Sequence, residues 1–124
     1  MNEKKTRLLI VEDSQDLQVL NRELFESEGY EVLSAFNGQE ALEVLREKTA
    51  RPDLILLDLM MPVMDGPTFR EKQLADPDLS GIPVIVLTAD GNAHAKAARL
   101  NAADSLNKTT GLDELLQVVR RNCR

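Results

Sequence analysis

The sequence predicts a doubly wound α/β domain, in which helices cover both faces of a parallel sheet. Two observations support this prediction. Strand-like runs alternate with segments of helical periodicity five times along the chain. The first, third and fourth runs are continuously apolar, as is typical of strands buried on both sides. Because ligands of such folds bind outside the carboxyl ends of the strands, the residues that come after each strand are the first candidates for a functional site.

Strand and helix signals alternate in a regular order. The predicted strands are residues 7–11, 31–35, 54–57, 83–87 and 105–107. The first helix ends at Gly29, and the residues of its apolar face are Leu17, Leu20, Leu24 and Phe25. The second begins after Asn37, an N-cap with Glu40 three residues later. Its buried stripe is predicted to be Ala41, Leu42 and Leu45.

The last three helices are predicted from turn and composition signals. Pro67, directly after Gly66, suits the first turn of a third helix that runs to about residue 74. Residues 91–103 are rich in alanine and predict the fourth helix. The fifth begins near Gly111, and its apolar residues are Leu112, Leu115, Leu116 and Val119. We expect one domain over residues 1–124, with a core from about 7 to 122.

Composition and charge argue against several classes of function. The chain has 124 residues and a formal net charge of −6, and its basic residues are scattered. Nucleic-acid binding needs a basic surface and often stacking aromatics, whereas this chain has three Phe, one Tyr and no Trp. The longest apolar run is strand-sized, and a single cysteine cannot form an internal disulfide. We therefore expect a cytoplasmic domain with no membrane or nucleic-acid partner.

The residues at the carboxyl ends of the predicted strands carry reactive or charged groups. Glu12 and Asp13 come after the first strand, Asp58 after the third, Thr88 after the fourth, and Lys108 after the fifth. Parallel strands end at one edge, so these groups are expected to converge. Three clustered carboxylates repel one another unless a cation lies among them, and Mg²⁺ fits such oxygens. One carboxylate can then attack phosphorus and form an aspartyl phosphate, which the ammonium and hydroxyl stabilise.

Four segments of the chain together carry a resemblance to a known family. They are LLIVEDS, DLILLDLMMPVMDG, PVIVLTA and ADSLNK. In sequence, order and spacing they resemble the receiver domain of two-component response regulators, over residues from about 7 to 119. The resemblance implies a flavodoxin-like (βα)5 fold with strand order 2-1-3-4-5. It also implies a signalling phosphoacceptor rather than an enzyme, which assists its own phosphorylation and dephosphorylation. We expect no output domain in this chain, which is either a stand-alone receiver or the receiver part of a longer protein.

The resemblance assigns a role to each residue at the strand ends. Asp58 is the acceptor of a phosphoryl group from a histidine kinase or a histidine phosphotransfer protein. Thr88 is the hydroxyl that moves toward the phosphoryl group, and Lys108 is the cation that pairs with it. Pro62 and Gly66 shape the loop beside the acceptor. The implied Mg²⁺ ligands are Glu12, Asp13, Asp58 and the backbone carbonyl of Met60. The phosphorylated domain would alter its protein partners or pass the phosphoryl group on.

Two positions depart from the family pattern. Ser105 stands where receivers usually have an aromatic residue that reports phosphorylation at the surface. Lys108 is followed by Thr109 rather than by the usual proline. A cis bond before a non-proline residue costs about 3–4 kcal/mol, so this site either tolerates that strain or uses a trans bond. Of the two we expect a cis peptide, because the family imposes that loop geometry. Neither departure affects the acceptor, the metal ligands or the lysine.

Other interpretations of the same residues are weaker. An aspartate-nucleophile phosphatase would need a second acid two residues after Asp58, where this chain has Met60. A flavodoxin-like cofactor module would need a hydroxyl- and glycine-rich loop after the first strand, where this chain has acids. The remaining alternative is a receiver fold that binds partners without phosphorylation, which Ser105 favours. His94 matches no metal-ligand spacing and is interpreted as a solvated surface histidine.

Overall fold

A computed structural model of the chain describes residues 5–47, 51–61, 63–89, 92–108 and 110–123. Strands and helices alternate strictly through these residues. The strands are β1 (Arg7–Val11), β2 (Glu31–Ala35), β3 (Leu54–Asp58), β4 (Val84–Thr88) and β5 (Asp104–Asn107). The helices are α1 (Gln15–Ser27), α2 (Gly38–Arg46), α3 (Gly66–Ala75), α4 (Ala93–Arg99) and α5 (Leu112–Asn122). All strand pairs are parallel and the order is β2-β1-β3-β4-β5, which confirms the predicted fold class and topology.

The hydrophobic core has two layers, one on each face of the sheet. One layer joins the sheet to α2, α3 and α4, and its large side chains include Leu42, Phe69 and Val86. The other joins the sheet to α1 and α5, and includes Phe25 and Val119. Every residue of β3 and β4 is buried, as expected for strands covered on both faces.

The predicted element boundaries are accurate at the strands and least accurate at the fourth helix. β3 and β4 each end one residue later than predicted, so Asp58 and Thr88 are the last residues of their strands. The predicted helix at residues 91–103 contains only Ala93–Arg99. Asn101 has φ +53°, a left-handed conformation that ends helices and that alanine content does not reveal.

The buried face of α1 differs from the predicted leucine stripe. Its buried residues are Gln18, Asn21 and Phe25, whereas Leu20 is 44% exposed. The Gln18 side-chain amide lies 2.9, 3.1 and 2.8 Å from the carbonyl oxygens of Ile10, Glu12 and Ala35. These carbonyls lie where β1 and β2 end, and an amide can satisfy them where a leucine cannot. In α5, Leu115, Leu116 and Val119 are buried as predicted, and Leu112 is 40% exposed.

A buried polar network lies under α3, where the sequence shows no apolar stripe. The Arg70 guanidinium donates to the carbonyl oxygens of Leu100 at 2.9 Å and Asn101 at 2.8 Å, and to Gln73 Oε1 at 2.7 Å. Gln73 donates in turn to the carbonyls of Leu79 and Ile82, each at 3.0 Å. Arg70 is 5% exposed and Gln73 is fully buried. The network therefore connects α3 to the segment after α4 and to the loop before β4.

The beginning of β5 is held to the end of α5 by Asp104. Arg121 donates to its two carboxylate oxygens at 2.7 and 3.0 Å, and Asn122 donates at 2.9 Å. The hydrogen bonds from Arg121 are the main cause that lowers the pKa of Asp104 from 3.8 to about 2. The helices that the structure describes include none long and apolar enough to span a membrane.

The lowered pKa of Asp104 gives a stability contribution with a defined pH dependence. The contribution is complete above the ordinary pKa of 3.8 and is lost as pH falls from there toward 2. We expect Asp104→Asn to lower the urea midpoint at pH 7, and the difference from the wild type to shrink at pH 3. Asp78→Asn, in an exposed loop, is the control and should change the midpoint little at either pH. A difference for Asp104→Asn that is constant with pH would contradict this assignment.

Candidate functional site

The register of the parallel sheet brings four strand ends together at one edge. Val11, the last residue of β1, pairs with Leu57. Asp58 pairs with Leu87, and Thr88 pairs with Asn107. The residues at or directly after these ends are those predicted for the site, and the structure places all of them along this edge. The chain order of the side chains is Glu12, Asp13, Asp58, Thr88 and Lys108.

Three carboxylates form an acidic cluster at this edge. Each of Glu12, Asp13 and Asp58 offers one carboxylate oxygen, and these oxygens all lie within 4.8 Å of one another. Glu12 is 2% exposed and Asp58 is 3% exposed, whereas Asp13 is exposed. The cluster is thus a pair of buried acids with one acid facing solvent. The α1 N-cap is Ser14, whose hydroxyl accepts from the Leu17 N–H.

Lys108 brings a positive charge to the buried side of the cluster. Its Nζ lies 2.7 Å from Glu12 Oε1 and 3.1 Å from Asp58 Oδ2. Burial raises the pKa of Glu12, and the nearby charge of Asp58 raises it further, although Lys108 partly opposes the shift. Burial disfavours the charge of Lys108, but its hydrogen bonds to Glu12 and Asp58 outweigh this and raise its pKa. The two acids are close enough to repel, and Lys108 compensates part of that repulsion.

The loop after β3 folds back over the Asp58 carboxylate. The Met60 N–H donates to Asp58 Oδ1 at 3.2 Å, while Met60 itself is 74% exposed. Val63 has φ +67°, which is unusual for a β-branched residue and indicates a tightly constrained loop. Asp65 caps α3 by accepting from the Thr68 N–H at 2.9 Å. Pro62, predicted to shape this loop, lies outside the described residues.

Gly66 allows the loop and the strand to approach each other closely. A Cβ at this position would lie 2.7 Å from Leu59 Cα and 2.8 Å from the carbonyl oxygen of Asp58. Both are backbone atoms, which cannot move without displacing Asp58. The prediction that Gly66 shapes the turn beside Asp58 therefore has a specific steric reason.

β4 and β5 are joined directly beside the cluster. The Lys108 N–H donates to the Thr88 carbonyl oxygen at 2.8 Å, and Thr88 is 1% exposed. The peptide between Lys108 and Thr109, which we expected to be cis, lies outside the described residues because Thr109 does. Because of the hydrogen bond between the Lys108 N–H and the Thr88 carbonyl, the backbone of β4 determines where the Lys108 side chain starts.

The first departure from the family pattern has a partner that the sequence does not reveal. Ser105 is 6% exposed, and its Oγ lies 3.1 Å from His94 Nδ1. His94 is exposed, as predicted, but the interpretation of a merely solvated histidine is incomplete, since the imidazole reaches across to β5. No local signal identifies this pair, because its members belong to different elements.

Comparisons with known proteins agree with this geometry. A family model described as the response regulator receiver domain matches residues 8–120. The chain belongs to the receiver domain family of two-component signalling. Sporulation initiation phosphotransferase F of Bacillus subtilis is a receiver relative that is 35% identical over 124 residues, covering 98% of this chain and 94% of the relative.

Solved structures show the same fold. The chemotaxis response regulator CheY4 of Vibrio cholerae superposes with a TM-score of 0.87 at 28% identity, covering 96% of this chain and 99% of the other. The response regulator TrrA of Thermotoga maritima, solved in complex with Mg²⁺-BeF, superposes with a TM-score of 0.81 at 28% identity. That match covers 94% of this chain and 98% of TrrA. Both likenesses concern the receiver fold as a whole.

The donor set of the acidic cluster fits a hard divalent cation. Its side chains offer only carboxylate oxygens, and one of the three acids is exposed, so a bound ion could keep water ligands. Lys108 brings one positive charge to three carboxylates, so it compensates the charge of the cluster only in part. A divalent ion would complete that compensation.

Substituting Gly66 tests the steric role of the loop. Because the added Cβ of Gly66→Ala would meet backbone of Leu59 and Asp58, we expect a loss of about 1–3 kcal/mol in the free energy of unfolding. Urea denaturation measures this. Gly81→Ala is the matched control, because its Cβ would have no heavy atom within 4 Å, and it should change stability by less than about 0.5 kcal/mol. Equal effects of the two substitutions would show that close approach at Gly66 is unimportant.

Proposed function

We propose that this receiver accepts a phosphoryl group on Asp58 from a phosphohistidine, and then changes its protein partners or passes the phosphoryl group on. The observation that supports this proposal is the contact of a buried acceptor carboxylate with Lys108 inside an acidic cluster. Glu12, Asp13, Asp58 and the backbone carbonyl of Met60 would hold Mg²⁺. A bound Mg²⁺ neutralises charge on phosphoryl oxygens during transfer.

The surroundings of Asp58 suit a nucleophile. Its carboxylate is held through Oδ1 by the Met60 N–H and through Oδ2 by Lys108, so its orientation is fixed before a donor arrives. In the transfer, a carboxylate oxygen forms a bond to phosphorus while the bond from phosphorus to the donor imidazole nitrogen breaks. The electron pair of that bond stays with the imidazole. The aspartyl phosphate is therefore formed without proton removal from Asp58, which must be ionised.

Lys108 and Thr88 are positioned to stabilise the transferred group. The Lys108 ammonium already contacts Asp58 Oδ2 and can donate to a phosphoryl oxygen at the same carboxylate. Thr88 ends β4, next to β3 and its terminal Asp58, and would donate its hydroxyl to another oxygen. Two donors from neighbouring strands would then bind the phosphoryl group from one side. These contacts make the aspartyl phosphate a state with its own set of hydrogen bonds.

An apolar groove beside Lys108 suits the helix of a phosphohistidine donor. The groove, of about 160 Å³, lies between α1 and α5. Leu20 and Leu112, two of its lining residues, are 44% and 40% exposed. Apolar side chains of a histidine kinase or a histidine phosphotransfer protein would bury this surface and place the histidine next to Asp58. The relative named a phosphotransferase supports onward transfer as one output of this chain.

The acceptor assignment is tested by mass. We expect incubation with acetyl phosphate and Mg²⁺ to add one phosphoryl group to the intact wild-type protein and none to Asp58→Asn, because an amide is not a nucleophile toward phosphorus. Asp53→Asn, at the residue directly before the other end of the same strand, is the control and should still be labelled. A folded wild type that gains no phosphoryl group would favour the alternative receiver that binds partners without phosphorylation.

The metal site is tested by titration with Mg²⁺. Removing the exposed acid with Asp13→Ala should weaken Mg²⁺ binding roughly tenfold or more, measured by calorimetry, because the site loses one of three carboxylates. Asp16→Ala removes an exposed acid three residues further on, in the first turn of α1, and should leave the affinity nearly unchanged. Equal weakening by both would indicate a diffuse electrostatic effect rather than a coordinating role.

A further inference from the structure

The loop between β3 and α3 is closed at its base by a backbone hydrogen bond. The Gly66 N–H donates to the Leu59 carbonyl oxygen at 3.1 Å, so the two ends of the loop lie side by side. Near the site, the Met60 N–H donates to Asp58 Oδ1 at 3.2 Å. The side chains of Met60 and Val63 are largely exposed and gain little from packing. Backbone contacts are therefore important for where this loop lies.

A further backbone contact joins the loop to the start of α2. The Gly38 N–H donates to the Met64 carbonyl oxygen at 3.0 Å. Gly38 is the first residue of α2, and the first N–H groups of a helix have no partner within the helix. Here the partner comes from a loop much further along the chain. One hydrogen bond thus satisfies the helix terminus and holds the loop.

The close approach at this contact requires a glycine. A Cβ at position 38 would lie 2.8 Å from Met64 Cγ, 2.9 Å from the Met64 carbonyl oxygen and 3.0 Å from Met64 Sδ. Gly38 has no positive φ, so the restriction is steric rather than conformational. Any side chain here would push the Met64 carbonyl, and the loop with it, away from α2.

The first turn of α2 is a firm support for the contact. Asn37 caps the helix by accepting from the Glu40 N–H at 2.9 Å, and Glu40 Oε1 accepts at 3.1 Å from the N–H of the residue before Asn37. Ala41 and Leu42 are buried in the core layer against which Met64 packs. Capping and apolar burial both hold this turn in place. A side chain added at the first residue of α2 is therefore expected to displace the loop rather than the helix.

We propose that Gly38 is a positioning residue for the Mg²⁺ site, because its contact with Met64 fixes the loop that carries the Met60 carbonyl. The inference rests on the proposed function, in which that carbonyl is one of the ligands. Mg²⁺ requires near-ideal octahedral geometry, so a displaced ligand binds it less tightly. Substituting the residues that hold metal ligands in place typically changes metal affinity about 10–100-fold. Gly38 would act in this way although it offers no ligand atom itself.

The test is a Mg²⁺ titration of the full chain by calorimetry, with urea denaturation as the check on folding. We expect Gly38→Ala to weaken Mg²⁺ binding about tenfold. Gly81→Ala is the matched control, because its Cβ would have no heavy atom within 4 Å, and it should leave the affinity unchanged. Met64→Ala keeps the carbonyl that accepts from Gly38 but loses side-chain packing, so it should lower stability and leave the affinity nearly unchanged.

Two further measurements separate positioning from damage to the fold or to the acceptor. At saturating Mg²⁺, acetyl phosphate should still add one phosphoryl group to Gly38→Ala, because its three carboxylates are unchanged. In the wild type, coupling between two sites is reciprocal, so bound Mg²⁺ should strengthen the contact that favours its binding. We expect hydrogen exchange of the Gly38 N–H to slow about tenfold at saturating Mg²⁺. This measurement decides the question if Gly38→Ala does not fold.

The outcomes distinguish the inference from the proposed function. A folded Gly38→Ala with wild-type Mg²⁺ affinity, or a Gly38 exchange rate that Mg²⁺ does not change, would overturn the positioning role and leave the proposed function standing. Equal weakening by Gly81→Ala or Met64→Ala would assign the effect to lost stability and overturn it too, as would a folded Gly38→Ala that gains no phosphoryl group at saturating Mg²⁺. Folded wild-type protein that binds no Mg²⁺ would overturn the proposed metal site and this inference together.

Discussion

Repulsion among three carboxylates at one sheet edge is the constraint that the rest of the site depends on. Because Glu12 and Asp58 are buried, water compensates their negative charge poorly. Lys108 contacts both carboxylates and compensates part of that charge. The Lys108 ammonium reaches both carboxylates only if the Lys108 backbone is correctly placed, and the hydrogen bond from its N–H to the Thr88 carbonyl provides that placement. The position of β5 beside β4 thus contributes to the electrostatics around Asp58.

Buried polar side chains hold the elements around this edge where apolar ones could not. The Gln18 amide meets carbonyls at the ends of β1 and β2, directly beneath the acidic pair. Gln73 and Arg70 play the same part between α3, the loop before β4 and the end of α4. These buried positions carry polar side chains because loops and strand ends present carbonyl groups that require a donor. The core layers provide the stability, and these residues fix the relative positions of the loops.

Local pattern and strand topology account for the features that the sequence predicts correctly. The bounds of β1 and β2 and the Asn37 cap are local, and the juxtaposition of Glu12, Asp13 and Asp58 arises because parallel strands end together. The exposure of Leu20 and the burial of Gln18 could not be predicted, since periodicity does not reveal which face meets unpaired carbonyls. The early end of α4 depends on one left-handed residue, Asn101, and the His94 contact depends on how α4 packs against β5, the next strand. Neither can be deduced from local sequence pattern.

α4 has much less apolar burial than α5, and this has a consequence for how firmly each helix is held. α5 buries Leu115, Leu116, Val118 and Val119, whereas α4 buries a single alanine. Apolar burial contributes about 25 cal/mol per Å², so α5 is held far more firmly than α4. An element with little apolar burial can move without exposing core, and regions that respond to ligands are drawn from such weakly held parts. Besides the apolar contacts, the hydroxyl of Ser105 on β5 contacts the His94 imidazole at 3.1 Å and so helps to determine where the first turn of α4 lies.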